Sequence, residues 1–188
     1  MATSNKLQTI YLDLETTGLS YKHDEIVEIG ILADDGIILL DTQVRPVRKQ
    51  TWPQAQAIHG ISPDDVREAP TLADLSDVIQ AIVEGKEIII YNMAFDLRFL
   101  VRQLAKAASI RCCMKAFARY YGGQDRRRRR PRQQKLTTAA EHVEFIWPGE
   151  AHRAINDCMA TRAVWRYLMD PARRHPATMI GQARKQSR

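Results

Sequence analysis

Hydrophobic and polar positions along the chain follow two periods, and the pattern changes near Arg45-Pro46. Before that point come three apolar runs: Gln8 to Leu14, Glu25 to Ala33 (Glu-Ile-Val-Glu-Ile-Gly-Ile-Leu-Ala) and Ile37 to Val44. Runs of this length, rich in β-branched residues, read as strands. Asp34-Asp35-Gly36 between the last two is a hairpin signal. The three predict an antiparallel meander, with the loop Thr16–Asp24 joining its first two strands. Beyond Arg45-Pro46, Pro53 to Ile58 reads as a short helix stopped by His59-Gly60. Ser62-Pro63 reads as the cap and first residue of another helix. Thr71 caps a helix whose Leu72, Leu75, Ile79, Ile82 and Val83 share one face, with Gly85 as its stop. Glu87 to Tyr91 is a short continuous β-branched run, as in a strand buried on both faces.

The spacing of Leu97, Leu100, Val101, Leu104 and Ala108 predicts a helix over 94–108. Further helices are predicted over Cys113–Tyr121, Leu136–Val143 and Ala154–Met169, the first broken by Gly122-Gly123 and the last closed by Asp170-Pro171. The arginine-rich stretch 124–134 reads as a loop. No internal repeat is present. A meander followed by helix, strand and helix predicts an α/β domain whose sheet mixes antiparallel and parallel strands. One domain over 1–170 is expected, with a basic, poorly ordered tail over 171–188.

Composition agrees with this division. A chain of 188 residues with 45% hydrophobic content can build one substantial core. No apolar run approaches the ~20 residues of a membrane span. The first residues, Met-Ala-Thr-Ser-Asn-Lys-Leu-Gln, lack the charged-then-apolar pattern of a secretory signal. Cys112, Cys113 and Cys158 form neither a disulfide framework nor a zinc pattern, so a reducing, cytoplasmic location is expected. The net charge of +6 is uneven: six arginines lie within 126–132 and five basic residues within 171–188, leaving −5 on the remainder. A mildly acidic body with two basic attachments points to a polyanionic partner met by particular segments.

The candidate chemistry begins at Asp13-Leu-Glu15. Strand side chains alternate faces, so both acids project to one side and repel each other unless a cation lies between them. A solvated strand end is the plainer reading of the pair. Asp96 falls in the first turn after the strand 87–91. It suits a helix N-terminus electrostatically; it also reaches the same sheet end as Asp13 and Glu15 if the two strands are parallel. Asp157, early in the last helix among apolar neighbours, would be costly unless paired or metal-bound. His152 lies five residues earlier, about 140° away on a helix. To serve the same site it must sit on the loop before that helix, where an imidazole makes a suitable general base.

In this order the residues resemble the DEDDh family of 3′–5′ exonucleases, which includes polymerase proofreading subunits, ribonuclease T and exonuclease X. Asp13-Leu-Glu15-Thr-Thr-Gly18-Leu19 is similar to the first motif, Asn92-Met-Ala-Phe95-Asp96 to the second, and His152 and Asp157, with four residues between them, to the third. Ala55-Gln-Ala-Ile-His59-Gly60-Ile61 adds to the likeness, which spans about residues 8–169. Tyr91 departs from it, standing where many members have histidine. The resemblance implies a ribonuclease H-like mixed sheet with helices on both faces. It implies two Mg²⁺ or Mn²⁺ ions held by Asp13, Glu15, Asp96 and Asp157, with His152 as general base. It also implies nucleoside 5′-monophosphates as products, and a terminal nucleotide gripped by Thr16, Gly18 and Leu19, with His59 and Asn92 as further contacts.

Arg126, Arg127, Arg128, Arg129 and Arg130 read either as a solvated loop or as phosphate contacts. Sequence-independent, salt-sensitive binding would relieve their mutual repulsion. Single-stranded DNA is the substrate favoured by this reading. Exoribonuclease activity on RNA or short oligonucleotides, and a non-catalytic nucleic-acid-binding or scaffold role, stand as alternatives; the tail suits docking to a protein complex.

Overall fold

Strand parity sorts the chain into two layers around one sheet. The computed structural model describes residues 7–125, 127, 129–149 and 151–173. Strands β1 (Thr9–Thr16), β2 (Ile26–Ala33) and β3 (Ile38–Gln43) form the meander, with Gly36 in the hairpin at φ +99°. Strands β4 (Glu87–Ile90) and β5 (Ser109–Cys112) extend it to the order β3-β2-β1-β4-β5. The β1–β2 and β2–β3 pairs are antiparallel, while β1–β4 and β4–β5 are parallel.

One face of β1 carries Ile10, Leu12 and Leu14. It packs with Ile88 and Ile90 of β4 beneath Ile79 and Val83 of helix α2 (Leu72–Val83) and beneath Leu100 and Leu104. Helix α2 starts at a reciprocal capping box between Thr71 and Asp74. The opposite face carries Tyr11, Asp13 and Glu15. There Tyr11, Leu32 and Ile89 meet helices α4 (Cys113–Tyr121), α5 (Leu136–His142) and α6 (Ala154–Met169). The Cys158 thiol of α6 touches the carbonyls of Gly30 and Tyr11 at 3.3 and 3.6 Å. A smaller cluster of Val27, Trp52, Ile61 and Val66 seats helix α1 (Pro53–His59), and the Trp52 indole donates to the Ile61 carbonyl at 2.8 Å. The mixed α/β sheet with helices on both faces is the architecture expected.

Four local expectations are corrected. The helix expected over 94–108 is a single turn, α3 (Met93–Asp96), followed by turns. Arg98, Phe99 and Leu100 donate to carbonyls three residues back, so an α-helix does not propagate. Leu100 and Leu104 reach the core as expected, whereas Val101 is exposed. Residues after Ser62-Pro63 form turns rather than a helix: Ser62 and Asp65 make the same reciprocal cap that opens α2, but the backbone bonds that follow, Arg67 to Asp64 and Ala69 to Val66, reach only three residues back, so no α-helix propagates. Strand β5 was not expected. The arginine-rich stretch is not a simple loop: β6 (Gln124–Asp125) pairs antiparallel with β7 (Arg130–Pro131) as a short hairpin. The tail expected over 171–188 lies outside the described residues from Arg174 onward. Among the described residues all three cysteines are free, and no helix is long and apolar enough to cross a membrane.

Candidate active site

Three elements deliver carboxylates to one end of the sheet. Asp13 and Glu15 project from β1 toward α6, each half-buried. Gly30 faces Asp13 and Glu28 faces Glu15 across the β1–β2 pairing. Because β4 runs parallel to β1, the chain leaves it at the same end and enters α3, where Asp96 is 3% exposed. Asp157 lies in the first turn of α6 and is buried. Its approach depends on Gly30: a β-carbon there would stand 2.7 Å from the backbone of Ala154 and Ile155. Glycine inside a strand marks such close backbone approach.

His152 stands two residues before α6, in a left-handed conformation at φ +65°, with an exposed side chain. It is on the loop, as the spacing to Asp157 demands. Its N–H donates to the Asp157 carboxylate at 3.2 Å. Donor atoms of Glu15, His152 and Asp157 all lie within 4.8 Å of one another.

Burial and mutual repulsion act together on the acids. Burial pushes the Asp13 carboxyl well up, and the charges of Asp157, Asp96, Glu15 and Glu28 push it further. Burial, then Asp157, Glu28 and Asp96, raise Glu15 to about 8, with Arg153 pulling weakly the other way. Asp96 is raised to about 7, mainly by burial and against backbone N–H groups of Asp96 and Leu14. Burial raises Asp157 to about 6 against the His152 N–H and imidazole. Four hard oxygen donors kept from ionising by burial first and by neighbouring negative charge second are a donor set suited to divalent cations. The residues present therefore fit the metal ions that the family likeness implies.

Sequence reasoning missed the support of this cluster. Glu28, 1% exposed, accepts from Arg153 Nε at 2.9 Å, from its Nη2 at 2.5 Å, and from the Ala154 N–H at 2.7 Å. It thereby anchors both the His152 loop and the first turn of α6. The signal was available, since an acid amid an apolar strand must find partners.

The remaining expected contacts are distributed around the cluster. Leu19 is 86% exposed at the tip of its loop, while Thr16 is buried and its hydroxyl donates to the Gly18 carbonyl at 2.7 Å. Asp24 ties the loop by accepting from the Ser20 N–H at 2.9 Å and pairing with Lys49 at 3.0 Å. Those contacts outweigh its desolvation and lower its pKa. A β-carbon at Gly18 would collide with that carboxylate. His59 is buried with both ring nitrogens engaged, by the Thr16 carbonyl at 3.3 Å and the Ile61 N–H at 3.0 Å. It braces the end of β1, and burial lowers its pKa. Asn92 is exposed and, with His152 and Asp157, lines a cavity of about 630 Å³. Arg127, Arg129 and Arg130 are exposed on the β6–β7 hairpin; Arg126 and Arg128 lie outside the described residues.

Comparison with known proteins converges on one chemistry. The family model described as Exonuclease, RNase_T, matches residues 10–165. The chain is 34% identical over 168 residues to a protein of Escherichia phage 186 named "Uncharacterized exonuclease CP81", a match covering 82% of this chain and 84% of that one. Exonuclease X in complex with 5′-overhanging duplex DNA is similar at 28% identity and a TM-score of 0.65, over 86% of this chain and 90% of that one. The nuclease domain of 3′hExo, a DEDDh family member bound to rAMP, shares the fold at 21% identity and a TM-score of 0.66, over 92% of this chain and 96% of that one.

Proposed function

The chain belongs to the exonuclease family and is a 3′–5′ exonuclease of the DEDDh type; from that premise we propose that it releases nucleoside 5′-monophosphates from 3′ ends of single-stranded DNA, using Mg²⁺ or Mn²⁺. The observation that carries this reading is the convergence of Asp13, Glu15, Asp96 and Asp157 on one sheet end with His152 beside them. Two divalent ions held by the four carboxylates would supply a nucleophile at neutral pH and stabilise charge on the leaving oxygen.

The protein's own side chains do the rest. The exposed imidazole of His152 accepts the proton of the attacking water, and its backbone bond to Asp157 sets where that imidazole stands. Leu19 offers an apolar surface to the terminal base, and its loop is held by Asp24 from below. Thr16 and Gly18 shape that loop. Asn92 contacts the sugar or backbone, while His59 contributes by bracing β1. The run Arg126–Arg130 binds phosphates without reading sequence. A DNA end is favoured over RNA because exonuclease X, at 28% identity, is described with DNA. In this reading residues 1–170 carry the exonuclease, and the basic stretch 171–188 adds contacts to the polyanion or to a partner protein.

End-labelled single-stranded DNA, duplex DNA and RNA, each incubated with Mg²⁺, Mn²⁺ or EDTA, test the proposal. A 3′-to-5′ ladder strongest on single-stranded DNA is expected, abolished by EDTA and by Asp157→Ala. Internal cleavage alone, or none with any metal, would overturn it; a stronger ladder on RNA would reassign the substrate.

A further inference from the structure

Two cavities lie on either side of the segment Gln133–Lys135, and Gln133 lines both. The larger opens beside the catalytic acids. The smaller, about 330 Å³, lies between α4 and the β6–β7 hairpin and is lined by Lys115, Ala118, Arg119, Arg130, Pro131 and Gln133. It has three cations in its wall and no carboxylate. None of the three makes an ion pair with another described residue. Lys115 and Arg119 are four residues apart on α4, a like-charge spacing that weakens an isolated helix. The partition between the cavities is fixed, because the Tyr91 hydroxyl lies 3.0 Å from both the Gln134 and Lys135 carbonyls.

We propose that this groove holds phosphodiesters of the substrate strand on the 5′ side of the scissile bond, with Lys115, Arg119 and Arg130 as its contacts. The proposal rests on the exonuclease reading above. An enzyme that removes the terminal residue has one nucleotide beyond the scissile bond. Every further phosphate of that strand lies on the 5′ side. A cationic groove next to the catalytic cavity, with Gln133 in the wall of both, therefore meets the body of the strand rather than its end. The arginine hairpin is one wall of the groove, and α4 supplies the other.

The test compares substrates with and without a 5′ strand. Wild type, the double variant Lys115→Ala/Arg119→Ala and the control Lys106→Ala are assayed with Mn²⁺ on two substrates. One is the p-nitrophenyl ester of thymidine 5′-monophosphate; the other is a single strand of about 15 nucleotides, enough to cross both cavities. The double variant should show an unchanged rate on the ester and a KM for the strand raised roughly tenfold, with kcat preserved and Lys106→Ala unchanged. At about 0.7 of a logarithmic unit of salt dependence per single-strand phosphate contact, losing two contacts lowers the salt slope by about 1.4. A fourfold rise in salt then weakens wild type about sevenfold more than the variant.

Unchanged KM and salt slope on the strand, or equal losses on strand and ester, would overturn the groove. An effect seen only on recessed-end duplexes, not single strands, would give the contacts to the complementary strand and overturn the assignment made here. Failure of wild type on both substrates would instead count against the exonuclease reading.

Discussion

Replacing Gly30 with alanine tests how the site is assembled, because two effects of opposite sign compete there. Gly30 is not among the glycines with positive φ, so alanine can adopt its backbone conformation. On that ground alone the change stabilises by about 0.4–1 kcal/mol through the unfolded chain. Against it, the new methyl would lie 2.7 Å from Ala154 C and Ile155 N and 2.9 Å from the Ala154 carbonyl, where ordinary contact begins at 3.4 Å. These are backbone atoms on a helix already tied to the sheet by Glu28 and Cys158, so they cannot swing aside. Overpacking of this kind costs about 1–3 kcal/mol. The clash wins, and the net loss is about 1–2 kcal/mol, or a fall in Tm of roughly 2–8 °C for a chain of this size.

Activity should suffer more than stability. Relieving the clash moves the first turn of α6, and Asp157 with it, away from Asp13 by a sizeable fraction of an ångström. Misplacement of reacting groups on that scale costs up to about 10²-fold in rate. A domain of ordinary stability losing 1–2 kcal/mol stays almost wholly folded, so the rate loss cannot come from unfolding. Thermal unfolding and turnover at saturating metal, measured on one preparation, separate the two. A variant with wild-type Tm and kcat would refute the close-approach argument. A lowered Tm with full kcat would show that the sheet yields instead of the helix, and would break the link between Gly30 and Asp157.

Three further outcomes are expected. Glu28→Ala strands the Ala154 N–H and frees Arg153; since the guanidinium is about half exposed and regains water, the cost is about 1.5–3 kcal/mol rather than that of a fully buried pair. An unchanged urea midpoint would contradict it. In metal-free protein, Glu15, Asp96 and Asp157 hold protons up to about 8, 7 and 6, above their ordinary 4.5, 3.8 and 3.8, so the folded state binds protons more tightly than the unfolded one. Stability from these groups is therefore greatest at acid pH and is lost as pH rises through that window; metal-free Tm should fall from about pH 5 to about pH 8, and added Mn²⁺ should flatten the fall, with the opposite slope sinking the argument. Tyr91→Phe removes one hydrogen bond to the 134–135 backbone and should cost about 0.5–1.5 kcal/mol in chemical denaturation while leaving ester hydrolysis intact. A lost ester activity would instead place Tyr91 in the chemistry.

What could be read from the sequence, and what could not, divides along the range of the forces involved. The meander strands, α2 and α6 announce themselves because each carries a full period of local pattern; α6 spans Ala154–Met169 as expected. Strand β5 is four residues, Ser-Ile-Arg-Cys, too short for alternation to show, and exists because β4 offers it a parallel edge. The stripe over 94–108 specified which leucines go inward but not the backbone that carries them, since a run of turns buries Leu100 and Leu104 as well as a helix would. The four acids and His152 could be placed from their motifs and from strand parity. Glu28 signalled that it needs a partner, but neither it nor Gly30 pointed to which one, because each acts through Ala154, more than a hundred residues away in sequence.

The division of charge follows from what the site must do. Asp13, Glu15, Glu28, Asp96 and Asp157 are forced together by folding, and the charges of the other four all raise the cost of ionising Asp13. Such a cluster attracts cations and repels a phosphodiester for the same reason. Arginines placed inside it would attract the strand, but they would also pair with Asp13 or Glu15 and compete with the metal ions for the same oxygens. Arg153 stands at the edge of the cluster, and its guanidinium is taken up by Glu28 rather than by the metal-facing acids. Cations that attract a strand without disarming the carboxylates must stand one cavity away, on α4 and the β6–β7 hairpin. That is where Lys115, Arg119 and Arg130 lie. On the proposed reading, the acidic cluster and the cations of α4 and the β6–β7 hairpin are two halves of one requirement: negative charge to hold metal, and positive charge to hold the polymer.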